Sequence, residues 1–292
     1  MGRAPCIFVI VLLSAPAAFA QDAAIDREVA DLIESMAASD YAGKAAVDKL
    51  VKIGKPAVEP LIAALKDPRR RVRYWSAAAA GRIADERAYP PLVDMAKLDK
   101  DAFCRATAIW YLQHFPRQAV WDLAIDALKD PDGTVRGYAI LLLKQRGRTE
   151  AVPKLKEAMK HPDYKTRYDA MVAVTTLSPT DVTEMLRGVL RSDENREVRV
   201  GAMKCLTIRT EKPPAILTVL IDGLEDRDAD VRTAAAALLR RGTTQEFPFD
   251  PEGDRQDRAV AVRNWRRWYD AQKDRLYWDD AKRRFEIRQK PD

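Results

Sequence analysis

The amino-acid sequence predicts an all-α fold, a right-handed α-solenoid of about six helix pairs with helical caps at both ends. Three observations carry this prediction: a helix-favouring composition, an internal repeat of about 32 residues, and helical spacing of apolar residues inside each repeat. The chain of 292 residues has only 12 Gly and 17 Pro, and 47% of its residues are hydrophobic. This composition favours helices over a turn-rich β sandwich and excludes a largely disordered chain.

The first twenty residues have the pattern of a secretory signal peptide. Arg3 precedes an apolar run over residues 7–13, and small residues end in Ala-Phe-Ala at 18–20. Such a peptide consists of a positively charged N-terminal region, a short apolar run and an A-x-A cleavage site. The alternative is an uncleaved anchor helix, but the run is shorter than the roughly 20 apolar residues that span a bilayer. We therefore expect residues 1–20 to be removed and the product to be exported, periplasmic or extracellular, with no membrane span after cleavage.

An internal repeat organises the rest of the chain. An aspartate is followed six positions later by an arginine, and the arginines recur at steps of 31 to 33 residues. The pairs are Asp67 and Arg73, Asp99 and Arg105, Asp130 and Arg136, Asp193 and Arg199, and Asp226 and Arg232, with His161 in place of the aspartate before Arg167. Small residues stand three positions after each arginine and apolar residues seven after it, which is one helix face. A second amphipathic stretch precedes most aspartates, so each repeat is predicted to be a pair of helices.

These residues resemble HEAT repeats, in particular the short bacterial HEAT-like type that also occurs in bilin lyases and is found in some secreted bacterial proteins. The D-x-x-x-x-V-R pattern of that type is complete at Arg73, Arg136, Arg199 and Arg232, whereas Cys104 and Thr166 replace the valine before Arg105 and Arg167. The resemblance covers about residues 40 to 242. It implies a hydrogen-bonded ladder of the Asp and Arg side chains between successive repeats. Because His161 interrupts that ladder, we expect a weaker or bent joint there.

Both ends of the chain depart from the repeat, as terminal caps do. We predict N-terminal capping helices over 21–66, HEAT-like repeats over 67–242, and over 243–292 a loop, an aromatic capping helix and a charged tail. The capping helix is predicted to carry Trp265, Trp268, Tyr269 and Leu276 at helical spacing. The charged stretch 279–292 is predicted to be a frayed helix or a tail.

No pattern for catalysis, a cofactor or a metal emerges from the sequence. The two histidines, His114 and His161, occupy non-equivalent positions in different repeats, which excludes zinc spacing. Glycine-rich phosphate loops, dinucleotide fingerprints and nucleophile elbows are also missing from the sequence. We therefore expect no enzyme, no catalytic residue, no cofactor and no metal ligand. HEAT-like enzymes of the bilin lyase or DNA glycosylase type remain the less favoured alternative.

Two acidic stretches imitate calcium loops. Asp226, Asp228 and Asp230 lack the glycine and the final glutamate of such a loop, so helix capping is the preferred interpretation. Asp250 and Asp254, with Glu252 between them, leave a calcium site in the C-terminal loop open beside simple solvation.

Aromatic and apolar residues point away from the predicted core. At 100° per residue, the first and fifth positions after each arginine face away from the core positions. They hold Tyr74, Trp110, Leu141, Tyr168 and Val172. The resemblance places second helices on the concave face of the solenoid, so we predict that these five residues bind a protein or peptide partner there. Burial by curvature or by a neighbouring loop is the alternative, and a structural spacer of the cell envelope is the alternative function.

The charge balance gives no support for a nucleic-acid partner. Arg3 is the one charged residue in 1–20, so the net charge of +6 falls to +5 once this segment is removed. This excess is mild for a chain with 50 basic residues, and by itself it does not indicate nucleic-acid binding.

Overall fold

The computed structural model describes residues 15–178, 180, 182–207 and 214–289. The predicted signal peptide falls largely on residues 1–14, which lie outside the described residues. Within the described ranges, no helix is both long and apolar enough to cross a bilayer. The chain divides into two compact units, Met1–Ala139 and Ile140–Asp292.

Helices that alternate in the predicted order build the first unit. They are α1 (Ala15–Ser35), α2 (Asp40–Ile53), α3 (Val58–Ala64), α4 (Arg70–Ile83), α5 (Tyr89–Leu98), α6 (Ala102–Tyr111), α7 (Gln118–Asp126) and the first part of α8 (Gly133–Gln145). Short 3-10 turns precede α3 and α5 and follow α6 and α7. The second helices α2, α4 and α6 pack side by side, and α3 and α5 pack against α4 and α6.

The core of the first unit follows the predicted register. Ser76 and Ala108, three positions after their arginines, are fully buried, as are Ala80 and Leu112 at the seventh position. In the N-terminal helices α1 and α2 the side chains of Val29, Ala46 and Leu50 are buried, as is Met36 in the turn between them. Gly43 of α2 allows close packing, since a Cβ atom at this position would lie 2.1 Å from Nε1 of Trp75.

The second unit contains the remaining helices and a short hairpin. Its elements are the end of α8, α9 (Val152–Ala158), α10 (Tyr164–Leu177), α11 (Thr183–Ser192), α12 (Arg196–Leu206), α13 (Ala215–Gly223), α14 (Ala229–Thr243), α15 (Arg255–Gln272), β1 (Leu276–Asp279) and β2 (Arg284–Ile287). Ala170, Ala202 and Ala235 at the third position are fully buried. The all-α fold of stacked helix pairs is therefore confirmed, with one hairpin added among the described residues.

The helices begin later than the sequence suggests. Asp67 followed by Pro68 predicts a helix with Asp67 as its N-cap and Pro68 in its first turn. In the structure α4 begins only at Arg70. Oδ1 of Asp67 accepts a hydrogen bond from the backbone N–H of Arg69 and so closes a turn before the helix. The N-cap of later second helices is the residue two positions after the repeat aspartate or histidine, as Asp101 and Asp228 show.

The prediction for the C-terminal segment is wrong in two respects. Helix α15 ends at Gln272, so Leu276 does not belong to it, and the charged tail is in part an antiparallel hairpin. Trp278 pairs with Phe285 across the hairpin, and their ring centroids lie 5.2 Å apart. The segment forms a hairpin because apolar and polar residues alternate in both strands. One face of the hairpin therefore packs on the core, while the charged side chains lie on the other face. Leu276 and Phe285 are buried in the same core cluster as Trp265.

Candidate functional site

The repeat arginines of the first unit join successive repeats. Arg73 donates from Nε and Nη2 to both carboxylate oxygens of Asp99, at 2.8 and 3.0 Å, and from Nη1 to the backbone carbonyl of Asp67 at 3.0 Å. Arg105 makes the same contacts with Asp130, at 2.9 and 2.8 Å, and with the carbonyl of Asp99. Each guanidinium therefore ties the turn of its own repeat to the aspartate of the next.

The same arrangement continues in the second unit. Arg167 pairs with Asp193 and Arg199 with Asp226, each through two hydrogen bonds of 2.8 to 3.0 Å. Arg232, in the last repeat, donates instead to the carbonyl of Pro251 at 2.7 Å. The C-terminal loop thus supplies the acceptor that a further repeat would have supplied.

At the predicted interruption, the histidine retains one role of an aspartate. Nδ1 of His161 accepts a hydrogen bond from the backbone N–H of Asp163 at 3.0 Å, just as Oδ1 of Asp130 accepts from Asp132. Arg136 donates from Nη1 to the carbonyls of Asp130 and Pro131 at 2.8 and 2.9 Å. The turn geometry is therefore kept at His161, and the weaker joint remains a prediction.

The electrostatics of these pairs fit a structural role. Hydrogen bonds to aspartate raise the pKa of Arg73, Arg105 and Arg167 above the ordinary value. Burial of Asp193 would raise the pKa of its carboxyl, but hydrogen bonds from Arg167 and the N–H of Asn195 outweigh it, and the pKa is lowered. Both partners of the Arg167–Asp193 pair therefore stay charged at neutral pH, and neither is poised to exchange a proton with a substrate.

The predicted anchors of the first unit belong to a continuous aromatic cluster. Tyr74 on α4 lies against Phe103 on α6 with ring centroids 5.2 Å apart, and Phe103 lies 6.4 Å from Tyr138 on α8. Trp110 meets Tyr138 edge-on at 6.1 Å. All four rings are half-buried, so part of each remains open to solvent. We call Tyr74, Phe103, Trp110 and Tyr138 the aromatic cluster.

Two members of the aromatic cluster were missed by sequence reasoning. Phe103 stands two positions before Arg105 and Tyr138 two positions after Arg136, whereas only the first and fifth positions after each arginine were expected to face outward. Not every such position faces outward. Ala78, the fifth residue after Arg73, and Ala106, the first residue after Arg105, are buried. The cause is lateral packing: second helices on both sides of α4 cover positions that a lone helix would expose.

A cavity of about 690 Å³ lies beside the aromatic cluster at the start of α4. It is lined by Ala37, Asp40, Arg69, Arg70, Arg71, Tyr74, Trp75 and Phe103. The guanidinium of Arg70 lies over the Phe103 ring, 5.2 Å from its centroid, and forms an ion pair of 3.3 Å with Asp101. The cavity therefore combines aromatic faces with cationic groups.

Three of the predicted anchors lie in the second unit. Leu141 is half-buried on α8, and Tyr168 and Val172 on α10 pack partly against the core cluster of this unit. The Tyr168 ring occupies the space beside Gly201, where an added Cβ atom would come within 2.4 Å of it. Tyr168 therefore also packs between two helices, whereas Tyr74 and Trp110 are joined through other rings.

The acidic stretches serve turns and caps in the structure. Asp228 accepts hydrogen bonds from the N–H groups of Asp230 and Val231 at the start of α14, and Asp254 caps α15 in the same way. Oδ1 of Asp250 accepts from the N–H of Glu252. In the described part of the chain, no group of three or more potential ligands is arranged to hold a metal ion.

Both cysteines of the repeat region are buried free thiols. Burial raises the pKa of the Cys104 thiol to about 12, and it also raises the pKa of Cys205. A nucleophilic role would need the thiolate, so these residues act as small core side chains.

Comparison with known proteins gives one family. Residues 29–113, 121–199 and 156–240 match the sequence model of HEAT repeats, which covers more than half of the chain. No curated protein matches this sequence.

Solved structures with similar chains are also known. The complex of CpcE and CpcF of phycocyanin lyase from Nostoc sp. PCC7120 is 21% identical, with a TM-score of 0.41, over 80% of this chain and 91% of that chain. Human deoxyhypusine hydroxylase in complex with glycerol is 17% identical, with a TM-score of 0.35, over 88% of this chain and 99% of that chain. An engineered protein is 15% identical, with a TM-score of 0.40, over 86% of this chain and 74% of that chain.

Proposed function

Since this chain belongs to the HEAT-repeat family, we propose that it is an exported scaffold that binds a protein or peptide partner through the aromatic cluster. Stacked helix pairs present a long, rigid surface and contain few mobile loops, which suits binding better than catalysis. The proposal assigns no reaction to the protein.

The observation that carries the proposal is the partial exposure of four linked rings. Tyr74, Phe103, Trp110 and Tyr138 come from three successive second helices, and each ring is only half-buried. Tyrosine and tryptophan are enriched among the residues that dominate binding energy, because they combine a large apolar area with a polar group. A contiguous set of such rings on rigid helices is typical of an interaction surface.

The neighbouring cavity suggests the chemistry of the partner. Arg70 and Arg71 have side chains that are more than half exposed. The partner of Arg71, Asp40, is exposed, and the partner of Arg70, Asp101, is half-buried. Exposed ion pairs contribute little to stability, so a partner carboxylate can replace them at small cost. We therefore expect a partner segment with an apolar or aromatic anchor followed by an acidic residue.

Affinity capture from an extracytoplasmic fraction tests the proposal. Residues 21–292 serve as bait, and Tyr74→Ala and Trp110→Ala are compared with Tyr41→Ala. Tyr41 is a matched control, because it is an aromatic residue of the same unit that is 86% exposed and does not line the cavity. We expect the Tyr41 variant to retain the same partners and the other two to lose them. Capture that is the same with all variants would refute the role of the aromatic cluster.

Export has its own test. When the full chain is expressed in a Gram-negative host, we expect the product in the periplasm to begin at Gln21, after the Ala-Phe-Ala site. N-terminal sequencing of the fractionated protein measures this. A cytoplasmic product that retains residues 1–20 would contradict export but leave the aromatic cluster untouched.

A further inference from the structure

A second cavity, of about 430 Å³, lies in the second unit between α13, α14 and the hairpin. Its apolar and aromatic lining residues are Ile216, Leu217, Leu220, Leu238, Trp278 and Phe285, and Thr207 and two arginines add polar groups. Pockets of this size with apolar walls and a few polar groups are the usual form of a small-molecule site. Neither the repeat ladder nor the aromatic cluster uses any of these residues.

Two arginines border this cavity without a partner. Arg241 is in the last turn of α14 and Arg283 is in the hairpin turn, and both line the cavity. Among the described residues, neither side chain makes a hydrogen bond or an ion pair. The acidic residues of the hairpin turn are engaged elsewhere, because Asp279 binds the backbone N–H of Lys282 and Asp280 accepts from Nε1 of Trp278.

Another cavity of the same unit shows the contrast. Four arginines and three acids line it. Arg191, Arg199 and Arg266 each pair with one of the acids, Asp222, Asp226 and Glu225 respectively. The fourth arginine, Arg227, donates to the backbone carbonyls of Asp193 and Glu194. Each arginine of that cavity therefore has an acceptor supplied by the protein itself. At the apolar cavity, Arg241 and Arg283 are exposed and have no such acceptor among the described residues.

The backbone of Arg283 has an unusual conformation. Its φ angle is 53°, in the left-handed region that favours glycine or asparagine. This conformation belongs to the hairpin turn that joins β1 to β2. At this turn, the strained position is one that borders the cavity.

We propose that this cavity binds an amphipathic carboxylate. The alkyl chain lies against the walls formed by Leu217, Leu220 and Phe285, and the carboxylate lies at the rim with Arg241 and Arg283. Guanidinium groups are the preferred partners of carboxylates, and an apolar chain gains by leaving water. A peptide with an apolar C-terminal residue shares this chemistry and is distinguished by the test.

Isothermal titration calorimetry of the full chain tests the proposal with three probes: decanoate, decanol and the peptide Ala-Ala-Leu-Leu with a free C-terminus. We expect decanoate to bind with one-to-one stoichiometry and more tightly than the other two. The double substitution Arg241→Gln and Arg283→Gln is expected to weaken decanoate binding at least tenfold and to leave decanol unchanged. Arg263→Gln, an exposed arginine of α15 outside the cavity, is the matched control and is expected to change nothing.

Gly242→Leu provides a second, independent variant. Gly242 lines the cavity, and a Cβ atom added there would meet no other atom within 4 Å. A leucine is therefore expected to narrow the cavity and reduce decanoate binding while the protein stays folded, which circular dichroism measures. Decanoate that fails to bind, binds the double arginine variant equally well, or binds more weakly than the peptide would overturn the proposal.

Discussion

Two arginines of α12 show how burial changes the contribution of an ion pair. Arg199 is 3% exposed and pairs with the buried carboxylate of Asp226, whereas the Arg196 side chain is 58% exposed and pairs with the exposed Asp230. Both pairs link α12 to the following repeat and involve the same residue types. The repeat pattern identified the first pair, because only Arg199 recurs at the repeat interval.

Arg199→Ala is expected to lower the free energy of unfolding by about 3 kcal/mol, because it leaves the Asp226 carboxylate buried and unpaired. Arg196→Ala is expected to lower it by about 0.5 kcal/mol, the usual contribution of an exposed pair. Urea denaturation of both variants measures the difference. Equal midpoints would contradict the structural role of the buried pair.

The lowered pKa values of aspartates predict a loss of stability in acid. A hydrogen bond from Arg87 is the main cause that lowers the pKa of Asp85 to about 2, from 3.8. Because its folded-state pKa lies below the unfolded value, Asp85 stabilises the protein above about pH 4, and this contribution is lost as the pH falls toward 2.

Thermal unfolding at pH 5 and pH 2 measures this loss for the wild type and for Asp85→Asn. Asparagine can still accept the backbone N–H of Arg87 but does not titrate in this range. We expect a smaller difference between the two pH values in the variant. A wild-type protein that unfolds at the same temperature at both would show that the lowered pKa has no effect on stability.

Cys104 and Cys205 are expected to be inert in the native protein because burial raises the pKa of both thiols. A thiol reagent added at pH 8, followed by peptide mapping, measures their labelling. We expect labelling of both only after unfolding in guanidinium without reductant. Rapid labelling of the native protein would show that the core around them opens readily.

Among the secondary-structure elements, the helices could be predicted from the sequence and the hairpin could not. The spacing of small and apolar residues after each arginine predicts the buried face of the second helices, from Ser76 to Leu239. The hairpin was missed because its strands have only four residues each and contain several charges, although Leu276 and Trp278 alternate with polar neighbours. An apolar and polar alternation over only four residues is a weak sign of a strand, and the helical spacing of the preceding residues favours a helix instead.

Two glycines in helices predict opposite effects of one substitution. Gly43→Ala is expected to destabilise the protein by about 1 kcal/mol or more, since the new methyl group would overlap the Trp75 ring. Gly188→Ala on α11 meets no atom within 4 Å and is expected to stabilise by about 0.5 to 1 kcal/mol through helix propensity. Chemical denaturation decides. Stabilisation by both would show that α2 and α4 do not pack this closely.

Across the molecule, the repeats could be predicted from the sequence more fully than the aromatic cluster or the smaller cavity. The ladder residues follow from spacing, because one arginine per repeat faces the same neighbour each time. The aromatic cluster was predicted only in part, since Phe103 and Tyr138 become visible when three helices are placed side by side. The smaller cavity could not be predicted, because the unexpected hairpin forms part of its wall.

The most direct test of the proposed function measures stability and partner binding of Trp110→Ala together. A binding anchor that is half-buried should lose about 2 kcal/mol or more of binding free energy with the fold retained, whereas a core aromatic residue would lose about 3 to 5 kcal/mol of stability. We predict a fold close to the wild type in its unfolding midpoint and at least a 30-fold weaker affinity for the captured partner. An unfolded variant, or one that binds the partner as tightly as the wild type, would contradict the proposal.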